Sequence, residues 1–277
     1  MLKLGLSMAA LYLVFRRIDI PQLTAAAAGT DWTWLAPALL LFNLSKLLSA
    51  VRLNMLFGNA GVTLGHTENI KLYYTGMFYN LFLPGGIGGD GYKVYLLKRS
   101  YSTPLKQLIS AVLYDRINGV AALGCMAGLL GAALVPKYGL ILLAGGMLAF
   151  PFLWILTRLV FSRFLPSFFQ GNLYSAGVQV AQVLSVICIL QVLRMDVTEY
   201  MPYVLLFLVS SIAAALPISV GGIGARELVF VYGAMYLGTE MAAGVVISMI
   251  FFLITALSSF AGVFFPAERI LKKQVAQ

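Results

Sequence analysis

Apolar runs of membrane-spanning length recur along this chain, and they constrain its fold more than any other feature. A helix needs about 20 predominantly apolar residues to cross the hydrocarbon core of a bilayer. The clearest runs cover residues 32–51, 108–135, 138–157, 173–193 and 242–265. A shorter run at 2–15 is followed by Arg16 and Arg17, and it predicts a first spanning helix, with a cleaved signal peptide as the alternative.

Composition excludes a soluble protein. Of the 277 residues, 61% are apolar and 10% are charged, whereas soluble domains carry about 25% charged residues. Too few polar residues remain to cover the core that such a chain would bury. The net charge of +9 then favours positively charged loops and contact with anionic lipid headgroups over nucleic-acid binding. We therefore expect one all-α, polytopic integral membrane domain covering residues 1–277.

Two further apolar segments are interrupted by proline and glycine. The first segment runs from Asn69 to Asp90 and contains LPGGIGGD at residues 83–90. The second runs from Met201 to Leu237 and contains LPISVGGIGARE at residues 216–227. Proline removes a backbone donor and glycine disfavours helix, so each segment predicts a helix, a break and a second helix. Broken backbone cannot face lipid, and it is tolerated where protein buries it or where it borders a wet cavity. The alternative is an ordinary turn outside the bilayer.

The two interruptions also suggest an internal repeat. The tetrapeptide GGIG begins at Gly85 and again at Gly221, nearly half a chain length apart. Each half contains two spans, one broken or re-entrant segment and one more span, which gives six full spans and pseudo-repeats of about 1–136 and 137–277. If the first half crosses three times, the second half is upside down. Inverted repeats of this kind place their binding site near the midplane, at the broken helices.

Charged and polar residues near the breaks form the candidate site. Asp115 and Arg116 lie inside an apolar run, where ionisable groups usually pair or face a cavity. Arg226 offers a planar donor fork for phosphate, and Lys93 is a second cation or an interfacial anchor. We expect no catalytic residue, metal or cofactor. The candidate substrate-binding residues are Asn80, Gly85, Gly86, Gly88, Gly89, Asp90, Lys93, Asp115, Arg116, Gly221, Gly222, Gly224, Arg226 and Glu227.

Three motifs together carry a family resemblance. They are YxGxFxNxxLPGGIGGD at residues 74–90, DRxxG at 115–119 and GGIGxRE at 221–227. In this combination the chain resembles the lysylphosphatidylglycerol synthase transmembrane-region family, which includes the flippase domain of the bacterial multiple peptide resistance factor group. The resemblance implies an eight-helix-type membrane fold and, in the best-understood branch, transfer of aminoacylated phosphatidylglycerol between leaflets. Since these 277 residues include no soluble aminoacyl-transferase domain, we do not expect this chain to aminoacylate lipid.

The sequence thus predicts a lipid translocase that moves a phosphate-bearing lipid between leaflets. The alternative is a membrane-embedded transferase acting on a lipid-linked phosphate or sugar, with Asp90, Asp115 and Glu227 as its available acids. The expected partners are a membrane phospholipid or lipid-linked substrate, a second copy of the chain, and a separate lipid-modifying enzyme. Basic residues 269–273 follow the last span and predict a cytoplasmic C-terminus, in a prokaryotic cytoplasmic membrane.

Overall fold

The computed structural model describes residues 29–81, 88–215 and 225–265, apart from the side chains of Ala225 and Glu227. These residues form α-helices joined by short loops and 3-10 turns, and no strand occurs in the described ranges. The all-α prediction is therefore confirmed. The helices are α1 (Leu35–Asn59), α2 (His66–Asn80), α3 (Gly88–Ser100), α4 (Leu105–Leu134), α5 (Gly139–Val160), α6 (Phe168–Val192), α7 (Tyr200–Ala215), α8 (Ala225–Leu237) and α9 (Met241–Phe260).

Six helices, taken with their adjoining 3-10 turns, are long and apolar enough to cross a membrane. They are Trp32–Asn59, Leu105–Leu134, Pro136–Val160, Ser162–Val192, Val197–Ala215 and Met241–Phe264. Five of them coincide with the predicted runs, which confirms a polytopic membrane protein. The sixth, Val197–Ala215, is the first arm of the second interrupted segment, so that arm is long enough to cross by itself. The predicted span at 2–15 lies outside the described residues.

Each interrupted segment has a helix on either side of its break, as predicted. In the first segment α2 ends at Asn80 and α3 begins at Gly88, with Gly89 also in its first turn. In the second, α7 ends at Ala215 and α8 begins at Ala225. The remaining predicted glycines, Gly85, Gly86, Gly221, Gly222 and Gly224, lie outside the described residues.

Helices α1 and α6 form the centre of the bundle and run antiparallel. Polar side chains join them along their length, and the residue number falls on α6 as it rises on α1. The joining hydrogen bonds are Ser185 Oγ to the Ala38 carbonyl (2.8 Å), Gln182 Nε2 to Ser45 Oγ (3.5 Å), Arg52 Nη1 to Ser175 Oγ (2.7 Å) and Asn59 Nδ2 to Ser167 Oγ (2.5 Å). Such bonds satisfy polar groups that lipid cannot.

The other contacts are arranged in matching sets around this central pair. Helix α1 contacts α2, α4 and α9, and α6 contacts α7, α9 and α4. Helix α2 packs on α3 and α9, whereas α7 packs on α8 and α4. Helix α3 contacts α4, and α8 contacts α9. If α1 is exchanged with α6, α2 with α7, α3 with α8 and α4 with α9, the same pairs of helices are in contact.

Helix α5 lies at the edge of the bundle against α4. A Cβ on Gly128 would lie 2.7 Å from the Leu142 carbonyl oxygen, so the two backbones approach closely where small residues meet. Most of the remaining α5 surface is apolar and exposed. It includes Leu140, Ile141, Met147, Leu148, Phe152 and Leu159. An apolar surface of this extent is what a lipid-facing helix presents.

Candidate functional site

A cavity of about 330 Å³ lies where the two interrupted segments meet. Asn80 and Leu81 line it after α2, Ala214 and Ala215 line it at the end of α7, and Arg226 lines it from the first turn of α8. Helix α3 and the spans α1, α4, α6 and α9 supply most of the rest of its described wall. The described arms of both broken segments therefore border one cavity, while the predicted breaks themselves lie outside the described residues.

Where α1 and α6 border it, the cavity lies near the middle of their spans. Lys46 is near the middle of Trp32–Asn59, and Gln179 is near the middle of Ser162–Val192. Polar groups at this depth cannot be reached by bulk water through lipid, and each needs a partner in protein or in an internal wet space. The position matches that of a substrate site between broken helices.

One side of the cavity is held by a three-membered ion cluster centred on Asp90. Asp90 Oδ1 lies 2.8 Å from Lys93 Nζ, and Asp90 Oδ2 lies 2.6 Å from Arg116 Nε. Only 8% of Asp90 and 4% of Lys93 are exposed. Because Asp90 and Lys93 are on α3 and Arg116 is on α4, the cluster fixes the second arm of the first broken segment to a full span.

A second ion pair joins three spans. Arg52 Nε on α1 lies 2.7 Å from Asp115 Oδ1 on α4, and Arg52 Nη1 donates to Ser175 Oγ on α6 at 2.7 Å. The adjacent residues Asp115 and Arg116, which the sequence marked as a pair, thus have different partners on different helices. Arg52 itself was not predicted, because the apolar run that precedes it was ended at residue 51, whereas α1 continues to Asn59.

Two further cations face the cavity. Lys46 Nζ lies 4.6 Å from the Phe42 ring centroid, and no hydrogen bond or ion pair to it occurs within the described ranges. The side chain is within electrostatic range of Arg226 and Arg52. Arg226 Nη1 donates to Ser211 Oγ at 3.1 Å, and its guanidinium carbon lies 5.1 Å from the Phe251 ring centroid.

Asn80 and two glycines shape the junction of α2 and α3. Asn80 Oδ1 accepts a hydrogen bond from the Gly89 backbone N–H at 2.7 Å, which satisfies one of the donors left open in the first turn of α3. A Cβ on Gly89 would overlap the Gly76 carbonyl oxygen, and a Cβ on Gly76 would overlap Lys93 Cε. Both positions need glycine so that α3 can approach α2 and Lys93 can reach the cavity.

The predicted site residues are only partly brought together by the described structure. Asn80, Asp90, Lys93, Asp115, Arg116 and Arg226 all line the cavity. Gly88 and Gly89 belong to the first turn of α3 instead, and the Glu227 side chain lies outside the described part of the chain. Sequence reasoning missed several polar lining residues on the spans, namely Lys46, Ser49, Arg52, Gln179, Gln182, Ser211, Thr255 and Ser259.

Positive side chains outnumber negative ones along the described wall of the cavity. Its described wall carries five cationic side chains (Lys46, Arg52, Lys93, Arg116 and Arg226) and two carboxylates, those of Asp90 and Asp115. Nowhere in the described ranges do three or more His, Cys, Asp or Glu side chains group as metal ligands. The arrangement is suited to receive an anion, since guanidinium groups bind phosphate through a planar fork of donors.

Fold and site together define a polytopic integral membrane protein whose described helices surround a cavity lined by more cations than carboxylates. Residues 1–172 match the family model described as "Lysylphosphatidylglycerol synthase TM region". The match covers more than half of the chain and includes every described charged residue of the cavity except Arg226. The chain therefore belongs to this family of lipid-related membrane proteins. A comparison with curated protein sequences gave no match.

Proposed function

We propose that this protein is a lipid translocase that carries a phosphate-bearing headgroup through its central cavity. The observation that supports this most strongly is the placement of five cationic side chains around one cavity between two broken segments, with Lys46 near the middle of its span. A phosphate crossing hydrocarbon alone would lose its hydration without compensation, at a cost of many kcal/mol. The cavity offers replacement donors at the depth where that cost is greatest.

The packing of the helices supports an inverted repeat. Helices α1 and α6 would be the equivalent spans of the two halves, and their hydrogen bonds make them antiparallel. The other contacts among helices α1–α4 and α6–α9 pair off when the two sets of four are exchanged, whereas α5 lies outside both sets. Two halves of opposite orientation can rock about a site between them and open it to each leaflet in turn. The lipid tail would stay in the bilayer throughout.

The experiment that tests the translocase uses the full chain in vesicles of phosphatidylglycerol and phosphatidylcholine. A fluorescent lipid, labelled on its acyl chain, is quenched from outside with a reagent that does not cross the membrane. The protein should bring inner-leaflet probe to the outer leaflet. Arg226→Ala should slow that movement at least about tenfold, since it removes a charged donor whose loss costs more than 1.4 kcal/mol.

Arg158→Ala is the matched control, because Arg158 is an exposed arginine near the end of α5 and stacks near the Trp154 ring, outside the cavity. It should leave the rate unchanged. Translocation by Arg226→Ala at the control rate would remove Arg226 from the mechanism. A probe lipid recovered in chemically altered form, seen by mass spectrometry, would instead indicate the transferase.

A further inference from the structure

Positive charges outnumber negative charges along the described wall of the cavity. Residues 82–87 and 216–224 contain no charged amino acid, and Glu227 is the one acidic residue in the break sequences whose side chain is not described. Even with Glu227 added to Asp90 and Asp115, three carboxylates would face five cations. The described wall is therefore electropositive, and low-polarity surroundings strengthen its field.

Both described carboxylates already have cationic partners from the chain. Asp90 uses one oxygen for Lys93 and the other for Arg116, and Asp115 pairs with Arg52. An ammonium group on a ligand would have to share these carboxylates with the buried cations or displace one of them. Displacement leaves a buried charge unpaired, which is strongly unfavourable.

Lys46 favours an anionic ligand, just as the paired carboxylates disfavour a cationic one. It has no carboxylate partner in the described part of the chain, and the positive charges of Arg52 and Arg226 repel it. An anionic group placed between these cations would relieve the repulsion and satisfy the ammonium. A cationic group in the same place would increase the repulsion.

We infer that the cavity selects lipids whose headgroup contains a phosphate and no amino group, and therefore has a net negative charge. It excludes aminoacylated lipids in which the positive charges of the ammonium groups outnumber the negative charge of the phosphate. This inference rests on the proposed function and names its substrate class. It separates this chain from the substrate that the family description suggests, because a lysyl ester adds two ammonium groups to the single phosphate of phosphatidylglycerol. Lys46 is the residue that determines this selectivity.

The test offers the purified full chain three lipids in equal amounts in detergent and counts the bound molecules by native mass spectrometry. The lipids are phosphatidylglycerol, a phosphodiester; phosphatidic acid, a phosphomonoester; and lysylphosphatidylglycerol, which has a net positive charge. Both anionic lipids should bind at least about tenfold better than the lysyl lipid, the effect of one full charge a few ångströms away. The ratio between the two anionic lipids identifies the preferred type of phosphate.

Lys46→Glu should remove this preference or reverse it, and Lys46→Gln should weaken it without introducing a new charge. Lys137→Gln is the control, since Lys137 is exposed in the 3-10 turn before α5. Equal binding of the lysyl lipid, or an unchanged preference in folded Lys46→Gln, would overturn the inference.

The same three lipids in the vesicle assay separate this inference from the proposed function. Selective binding without movement between leaflets would refute the translocase and support the selectivity. Equal movement of all three lipids would support the translocase and refute the selectivity.

Discussion

Removal of the Asp90 charge should destabilise the protein far more than removal of a charge at an exposed position. Asp90→Asn keeps the shape of the side chain but leaves Lys93 and Arg116 in a largely buried site without their shared carboxylate. Breaking a buried ion pair by removing one partner costs about 3–5 kcal/mol. Since the cavity borders the cluster and can admit water, the lower end of that range, about 3 kcal/mol, is the value to expect.

Thermal unfolding in detergent, followed by tryptophan fluorescence, measures this effect. A chain of this size shifts its midpoint by about 2–4 °C per kcal/mol, so Asp90→Asn should unfold about 6–12 °C below the wild type. Asp196→Asn is the matched control, because Asp196 is exposed and its side chain makes no capping hydrogen bond. Its midpoint should stay within about 1–2 °C of the wild type, as for most surface substitutions.

A double variant distinguishes charge from packing. Lys93→Met alone leaves Asp90 paired with Arg116, whereas Asp90→Asn with Lys93→Met removes the buried ammonium that Asp90→Asn leaves without its carboxylate. The double variant should therefore be more stable than Asp90→Asn, and the two changes should not add. A midpoint for Asp90→Asn equal to the control, or a double variant no more stable than Asp90→Asn, would refute the electrostatic explanation.

Two further predictions concern close helix contacts and use the same thermal assay. Gly89→Ala places a methyl group against the Gly76 carbonyl oxygen and should lower the free energy of unfolding by about 1–3 kcal/mol. Gly91→Ala on the same helix is the control, since its Cβ would meet nothing within 4 Å and should leave stability unchanged. Equal unfolding midpoints for the two variants would contradict the close α2–α3 contact. Gly128→Leu should separate α4 from α5 and destabilise the protein by more than Gly124→Leu, since a Cβ at Gly124 would meet nothing within 4 Å. A lower unfolding midpoint for Gly124→Leu than for Gly128→Leu would contradict the packing of α5.

Run length and composition were enough to predict most of the spans. Hydrocarbon admits a segment only if it is apolar for its full thickness, and that requirement is visible in sequence without any tertiary information. The span Val197–Ala215 was instead assigned to the second interrupted segment, which begins at Met201 and Pro202. In the structure Pro202 is the third residue of α7, where a missing N–H breaks no helical hydrogen bond.

The site was harder to predict than the fold. Asp115 and Arg116 stood out because charges inside apolar runs are rare, and both line the cavity. Their partners could not be deduced, since Arg52 pairs with Asp115 across 63 residues of sequence and Asp90 reaches Arg116 from another helix. Such pairings depend on the register between helices that are distant in sequence, which a pattern along one helix does not specify. Lys46 stood out as a charge within a long apolar run, but it was not included among the candidate site residues.

The ion clusters give the proposed transport cycle a way to bind a lipid and then release it. A cavity of unpaired cations would be costly to fold and would hold a phosphate too tightly to let it leave. Here Asp90 and Asp115 satisfy Lys93, Arg116 and Arg52 in the empty cavity. A phosphate must compete with these carboxylates for the same donors, so its arrival and departure exchange one set of ionic contacts for another. Lys46, which has no carboxylate among the described residues, then provides the attraction that favours entry.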